Sequence, residues 1–152
     1  MNRLLGLFCA VLFTLTLGCG GDGLSRVVIR GKVVALNGPV GQAAVSFIPK
    51  EGTKGEGGIG TTDNDGNFTL IGSRLNDAGV VPGKYKVVVS RYMEKDGRVI
   101  PSNEYKEADN PLAIQSVPAP FSTIDSTLEV TVAESGGALQ VEIPAKLLEK
   151  GK

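Results

Sequence analysis

The chemistry open to this chain is bounded first by a residue it lacks. Among 152 residues there is no His, which excludes His-activated nucleophiles, His general acid–base work and His metal ligation. Carboxylates remain. Glu104, Glu107 and Asp109 lie close together in sequence, and a carboxylate pair can hydrolyse glycosides where a cleft fixes its separation. The Pro-rich surroundings build no cleft, so solvated loop charges are the preferred account. Asp63, Asp65 and Asn67 alternate as the first oxygen ligands of a calcium loop do. Counted from Asp63, however, the sixth and twelfth positions are Phe68 and Arg74, where such a loop needs Gly and Glu. A turn explains the same residues without an ion, so neither metal nor cofactor is expected. Tyr92, Tyr105 and Phe121 are candidates for stacking on sugar rings, and pinning a loop is the plainer role for them. No Gly-x-Ser-x-Gly turn is present, and neither Cys has a His to activate it. The chain reads as a protein that is not an enzyme.

The elements that must position these residues are short and alternating. Around Thr62-Asp63-Asn64-Asp65-Gly66-Asn67-Phe68, Asp and Asn side chains can bond back to the backbone and Gly accepts positive φ, which makes a turn. Strand-like runs flank it. Val27, Ile29, Val33 and Ala35 share one face of 26–36, and Gly31 within that run predicts a bulge or a close packing contact. Asn37-Gly38-Pro39 reads as a turn, followed by a strand over 40–49 with Ala43, Val45 and Phe47 inward. A short strand over 59–62, another over 67–71 with Phe68 and Leu70 inward, and a longer one over 84–91 with Tyr85, Val87 and Val89 inward come next. Lys84 and Lys86, with Arg91 and Lys95 beyond, form a basic stripe only in outline, because Lys84 and Lys86 fall on the solvated face of that strand. The stretch 92–127 holds four prolines and no sustained period, so it reads as a long loop. Alternation resumes over 126–133 and 138–143, with Ser135-Gly136-Gly137 between, and predicts a closing hairpin. The last residues, 145–152, read as a charged tail that frays. Seven such segments predict an all-β, seven-stranded Greek-key β-sandwich over 26–144.

Composition agrees with that class. Gly is abundant, aromatics are few, and Lys plus Arg balance Asp plus Glu at 16 each. No basic field draws nucleic acid. The N-terminus adds an address. Arg3 precedes a nearly unbroken apolar run, Leu4–Leu17, which falls short of the roughly 20 residues a span needs and fits a secretory leader. Its end, Leu15-Thr16-Leu17-Gly18-Cys19, resembles the bacterial lipobox, although Thr16 stands where that family usually has Leu. The resemblance implies cleavage of 1–18, lipid on Cys19, and a flexible Gly-rich tether over 19–25. It implies secretion across the inner membrane and anchorage by lipid. Gly20 carries no inner-membrane retention signal, which points to the outer membrane. Cys9 would leave with the leader, so the mature chain could form no internal disulfide.

Further motifs carry a second resemblance. Gly31-Lys32-Val33, Gly38-Pro39-Val40, Ala44-Val45-Ser46-Phe47-Ile48-Pro49, Thr61–Phe68 and Pro82-Gly83-Lys84-Tyr85 resemble a carboxypeptidase regulatory-like domain. Val117–Phe121 and Ser126–Val130 resemble the ending of small bacterial lipoproteins of this kind, common in planctomycetes, with Phe121 where tyrosine is usual. The resemblance spans about 26–144. It implies a transthyretin-like (prealbumin-like) sandwich without catalysis, acting as an envelope interaction or structural module. An unknown envelope protein or polysaccharide would be its partner. A carbohydrate-binding accessory domain using Tyr92, Tyr105 and Phe121 is the alternative.

Overall fold

A computed structural model describes residues 22–72 and 79–149. The leader, Cys19 and the first part of the tether therefore lie outside the described residues. Within them the chain is all β, with twelve strands and no helix. Each of the seven alternating segments contains a strand: β1 (Ile29–Ala35), β3 (Ala44–Pro49), β4 (Gly58–Thr61), β5 (Asn67–Thr69), β7 (Gly83–Ser90), β11 (Leu128–Val132) and β12 (Gly137–Ile143). The other five are two residues each: β2 (Gly38–Pro39), β6 (Ile71–Gly72), β8 (Tyr92–Met93), β9 (Val99–Ile100) and β10 (Ile114–Gln115).

Two larger sheets form a sandwich-like pair. In one, β1 is central. It pairs in parallel with β12 on one edge, and antiparallel with β5 and β2 on the other. The second sheet runs β11-β7-β3-β4-β6, antiparallel throughout. Alternation explains what lies between them. Ile29 and Val33 from β1, Val141 and Ile143 from β12, Val45 and Phe47 from β3, and Tyr85, Val87 and Val89 from β7 are all buried in one cluster. Burying each such side chain contributes roughly 1.5–3 kcal/mol. Phe47 sits at the middle, with ring centroids 6.0 Å from Phe68 and 5.8 Å from Tyr85, both tilted.

Gly31 proves to be a close packing contact. It lies directly opposite Phe68 in the β1–β5 pair, and a Cβ there would stand 2.4 Å from the Phe68 ring. Four other expectations are corrected. The strands over 126–133 and 138–143 do not form a hairpin, since β11 pairs with β7 and β12 with β1. Gly136 and Gly137, at φ 65° and 123°, turn the chain across to the opposite sheet, a route open to glycine. Gly38-Pro39 is itself paired to β1, so the turn falls earlier and β3 starts at Ala44, after a second turn over 40–43. That second turn is held by Thr62. Its buried hydroxyl accepts from Ala43 N–H (2.8 Å) and donates to the Val40 carbonyl (2.7 Å).

The third correction concerns 92–127, which is not a loop without structure. β8, β9 and β10 form a small third sheet there, Met93 and Ile100 are buried, and Val117 joins the main core. The run has no period because each strand is too short to show one. Finally, 145–149 is docked and not frayed. Leu147 is buried, its N–H donates to Asn37 Oδ1 (3.0 Å), and Leu148 N–H donates to the Ser116 carbonyl (2.9 Å).

Candidate functional site

A wide hollow lies where the outer faces of the two large sheets meet along β4 and β5. It is an open groove of about 1120 Å³. Outward positions on β3 and β12 carry Ala44, Ser46 and Ala138, which line it; long polar side chains at those sites would fill the space. β1 contributes Arg30 and Lys32, β5 Asn67 and Thr69, and β4 Thr61. On one wall Ile59 and Ile71 are direct cross-strand partners in the β4–β6 pair. They remain 57% and 55% exposed. The pair adds adjacent apolar area to the groove wall, and contiguous apolar surface, when large enough, marks contact sites.

Of the candidates read from the sequence, Asp63 and Asn67 border this groove; Ile59 and Ile71 are not among those candidates, though a signal for Ile71 is there. Phe68 and Leu70 face inward, so the next residue, Ile71, must face out. Ile59 stands between Gly58 and Gly60, so the short strand read over 59–62 has no second large apolar residue to show which face Ile59 takes.

The other candidates from the sequence fall in separate places. Tyr92 and Tyr105 do come together, with rings stacked at 3.8 Å and 3°. One face of each ring is thereby covered by the other, and the stack ties β8 to the turn that carries Tyr105. Burial first, then the neighbouring Tyr92 and Glu107, push the Tyr105 phenol above its ordinary value. Phe121 packs instead against the main core, and its carbonyl accepts from Val89 N–H (3.0 Å).

Asp63, Asp65 and Asn67 form a turn held by hydrogen bonds. Asp63 Oδ1 accepts from the N–H of Asp65 (2.9 Å) and of Asn67 (2.8 Å), and Asn67 Nδ2 donates to Asp63 Oδ2 (3.0 Å). Asn67 thus turns its amide nitrogen, not its oxygen, toward the carboxylate. The Asn67 side-chain amide, then the backbone N–H groups and Lys32, hold the Asp63 carboxyl below its usual value. Among the described residues no group of three or more Asp, Glu, Cys or His side chains converges as a metal site would require.

The basic stripe is divided. Lys86 Nζ donates to the Ile124 carbonyl (2.8 Å), and Lys84 and Lys86 stand opposite Thr131 and Glu129 on β11. Glu129 is ion-paired with Lys50, and that pair, first through its hydrogen bond, holds the Glu129 carboxyl low. Arg91 turns inward, with Nε donating to the Gly41 carbonyl (3.1 Å). Its pKa is lowered by burial, against the raising influence of Glu149. Lys95 lines a smaller hollow of about 340 Å³ beside Leu112. Glu104, Glu107 and Asp109 are exposed, and Asp109 lies 4.0 Å from Lys106.

Fold and surface together define an all-β, sandwich-like protein with a broad groove among the described residues. The chain matches no family model, no curated protein and no solved structure. The resemblance to carboxypeptidase regulatory-like domains therefore rests on the sequence motifs alone.

Proposed function

We propose that this is a lipid-anchored, non-catalytic interaction module of the cell envelope, built as a transthyretin-like Greek-key sandwich. The observation that carries the reading is the groove beside the exposed Ile59–Ile71 pair. It offers a contact surface of mixed apolar and polar character. The leader supplies the address. Gly18-Cys19 follows an apolar run, and two or more acyl chains on a Cys anchor a protein stably, at about 0.8 kcal/mol per buried CH₂. Lipid on Cys19 would hold the domain against a membrane, the outer membrane in a Gram-negative cell, with the groove free for an envelope partner.

The test is metabolic labelling with an alkyne fatty acid in a bacterial host. The expected result is label on the wild-type chain, none on Cys19→Ser, and a mature N-terminus at Cys19. An unlabelled chain, or a mature N-terminus elsewhere, ends the anchored reading. The carbohydrate-binding alternative is read from Tyr92, Tyr105 and Phe121, which do not line the groove; a sugar could instead meet the groove, whose lining includes the hydroxyls of Thr61 and Thr69 and the amides of Asn67 and Gln140. Affinity electrophoresis against a panel of glycans separates the two: retardation that Tyr105→Ala leaves intact and Thr69→Lys abolishes would favour sugar in the groove.

A further inference from the structure

A strand at the end of a sheet offers every second backbone N–H and C=O to whatever strand arrives. Proteins usually blunt such edges by keeping them short or by placing Pro or long charges on them. The edges here can be compared on that basis. β6 and β2 are two residues each, β2 contains Pro39, and β5 is three residues. β11 is five residues long, and its Glu129 is engaged by Lys50.

β12 is different. It is the terminal strand of its sheet and runs seven residues, Gly137-Ala138-Leu139-Gln140-Val141-Glu142-Ile143. It has no Pro, no Lys or Arg, and one carboxylate. All seven residues are held straight by the parallel ladder to β1. Its outer side pairs with no strand among the described residues.

We infer that β12 pairs with β12 of a second copy, antiparallel about a two-fold axis through Gln140. The sequence of the strand is compatible with that occupant. An isologous contact must be self-complementary, and a shared inner face requires each residue to meet one of the same parity. Centring on Gln140 is the register that uses all seven residues. It sets Leu139 opposite Val141 of the second copy on the inner face. There Val141 is buried already and Leu139 only half-buried, so pairing covers what the monomer leaves open. On the outer face it sets Glu142 opposite Ala138, which keeps the two carboxylates at opposite ends of the junction. Gln140 meets Gln140; its Nε2 donates to Glu142 Oε1 of its own chain at 2.7 Å, which leaves the second amide hydrogen and the carbonyl oxygen for the facing copy, and a carboxamide pairs with itself without charge cost. The inference is independent of the lipid reading.

The test uses the full-length chain expressed in a bacterial envelope, with Gln140→Cys under mild oxidation. Residues directly opposite in an antiparallel pair lie about 4.5–5.5 Å apart at Cα, within disulfide reach. The expected product is a disulfide-linked homodimer, in excess of that from Lys95→Cys on a distant turn and from the wild-type chain, which reports whatever Cys9 and Cys19 contribute. Sedimentation of purified protein gives the second readout. Gln140→Lys and Gln140→Glu each place like charges at the axis on an exposed position, so each alone should dimerise roughly fivefold more weakly. An equal mixture of the two should recover the wild-type association or exceed it. The inference is overturned if Gln140→Cys cross-links no better than Lys95→Cys or links to a different protein. It is also overturned if both charge variants associate as the wild type does.

Discussion

Gly31→Ala tests how tightly β1 is gripped between its two neighbours. Gly31 is paired with Phe68 on one side and Leu139 on the other. A Cβ at this position would stand 2.4 Å from Phe68 Cζ and 2.7 Å from the Leu139 carbonyl oxygen. Carbon atoms settle at about 3.5 Å or more, so roughly 1 Å of space has to be found. Phe68 has little freedom to supply it, being 4% exposed with its ring against Phe47. Overpacking of this kind costs about 1–3 kcal/mol. Ala also restricts the unfolded chain, which offsets about 0.4–1 kcal/mol. The net loss should be about 1–2 kcal/mol. With a urea m-value of about 2 kcal/mol/M, the unfolding midpoint falls by roughly 0.5–1 M at constant slope. Phe68→Leu removes the clashing ring edge and alone costs about 1–2 kcal/mol, less than full truncation would. Because both changes act on one contact, they should couple by about 0.5–3 kcal/mol in the restoring direction, leaving the double variant more stable than the sum of the singles. A Gly31→Ala midpoint at or above the wild type, or strict additivity in the cycle, would refute the reasoning.

Other expectations follow from single contacts. Thr62→Val leaves Ala43 N–H and the Val40 carbonyl without their buried partner, so it should cost about 1–3 kcal/mol in chemical denaturation, while Thr62→Ser should restore most of that. Asp63 is held below its reference value of 3.8, so its stabilising contribution is complete above about pH 4 and is lost as pH falls through the depressed folded value. The stability gap between wild type and Asp63→Asn should therefore shrink on acidification below about pH 4 in a pH series of urea melts; a gap independent of pH would contradict it. Tyr105→Ala removes a stacking contact with Tyr92 worth about 0.5–1.5 kcal/mol beyond area. Hydrogen exchange should quicken around Met93 and Gln115 while β3 and β7 keep their protection.

Much of the site was beyond reach of the sequence for one physical reason. Side chains alternate across a strand whatever strand lies beside it, so alternation names a face without naming a neighbour. Thr62-Asp63-Asn64-Asp65-Gly66 was legible as a turn because its chemistry is local: Asp63 bonds N–H groups two and four residues on. Tyr92 and Tyr105, thirteen positions apart, could be singled out as a pair, but their stacking depends on how three two-residue strands fold the 92–115 segment.

The sequence alone determined that the chain is β, which residues of β1, β3, β5 and β7 face the core, and where Asp-Gly and Gly-Gly would bend it. Those properties come from side-chain polarity and backbone preference within a few residues. Only the tertiary structure decided that β11 and β12 part to opposite sheets, that β12 runs parallel to β1, and that 145–149 docks on Asn37 and Ser116. It also decided that the outer faces meet in a groove walled by Ile59 and Ile71. Each of these joins residues distant in sequence, and the choice among partners is made by which arrangement buries both apolar faces at once.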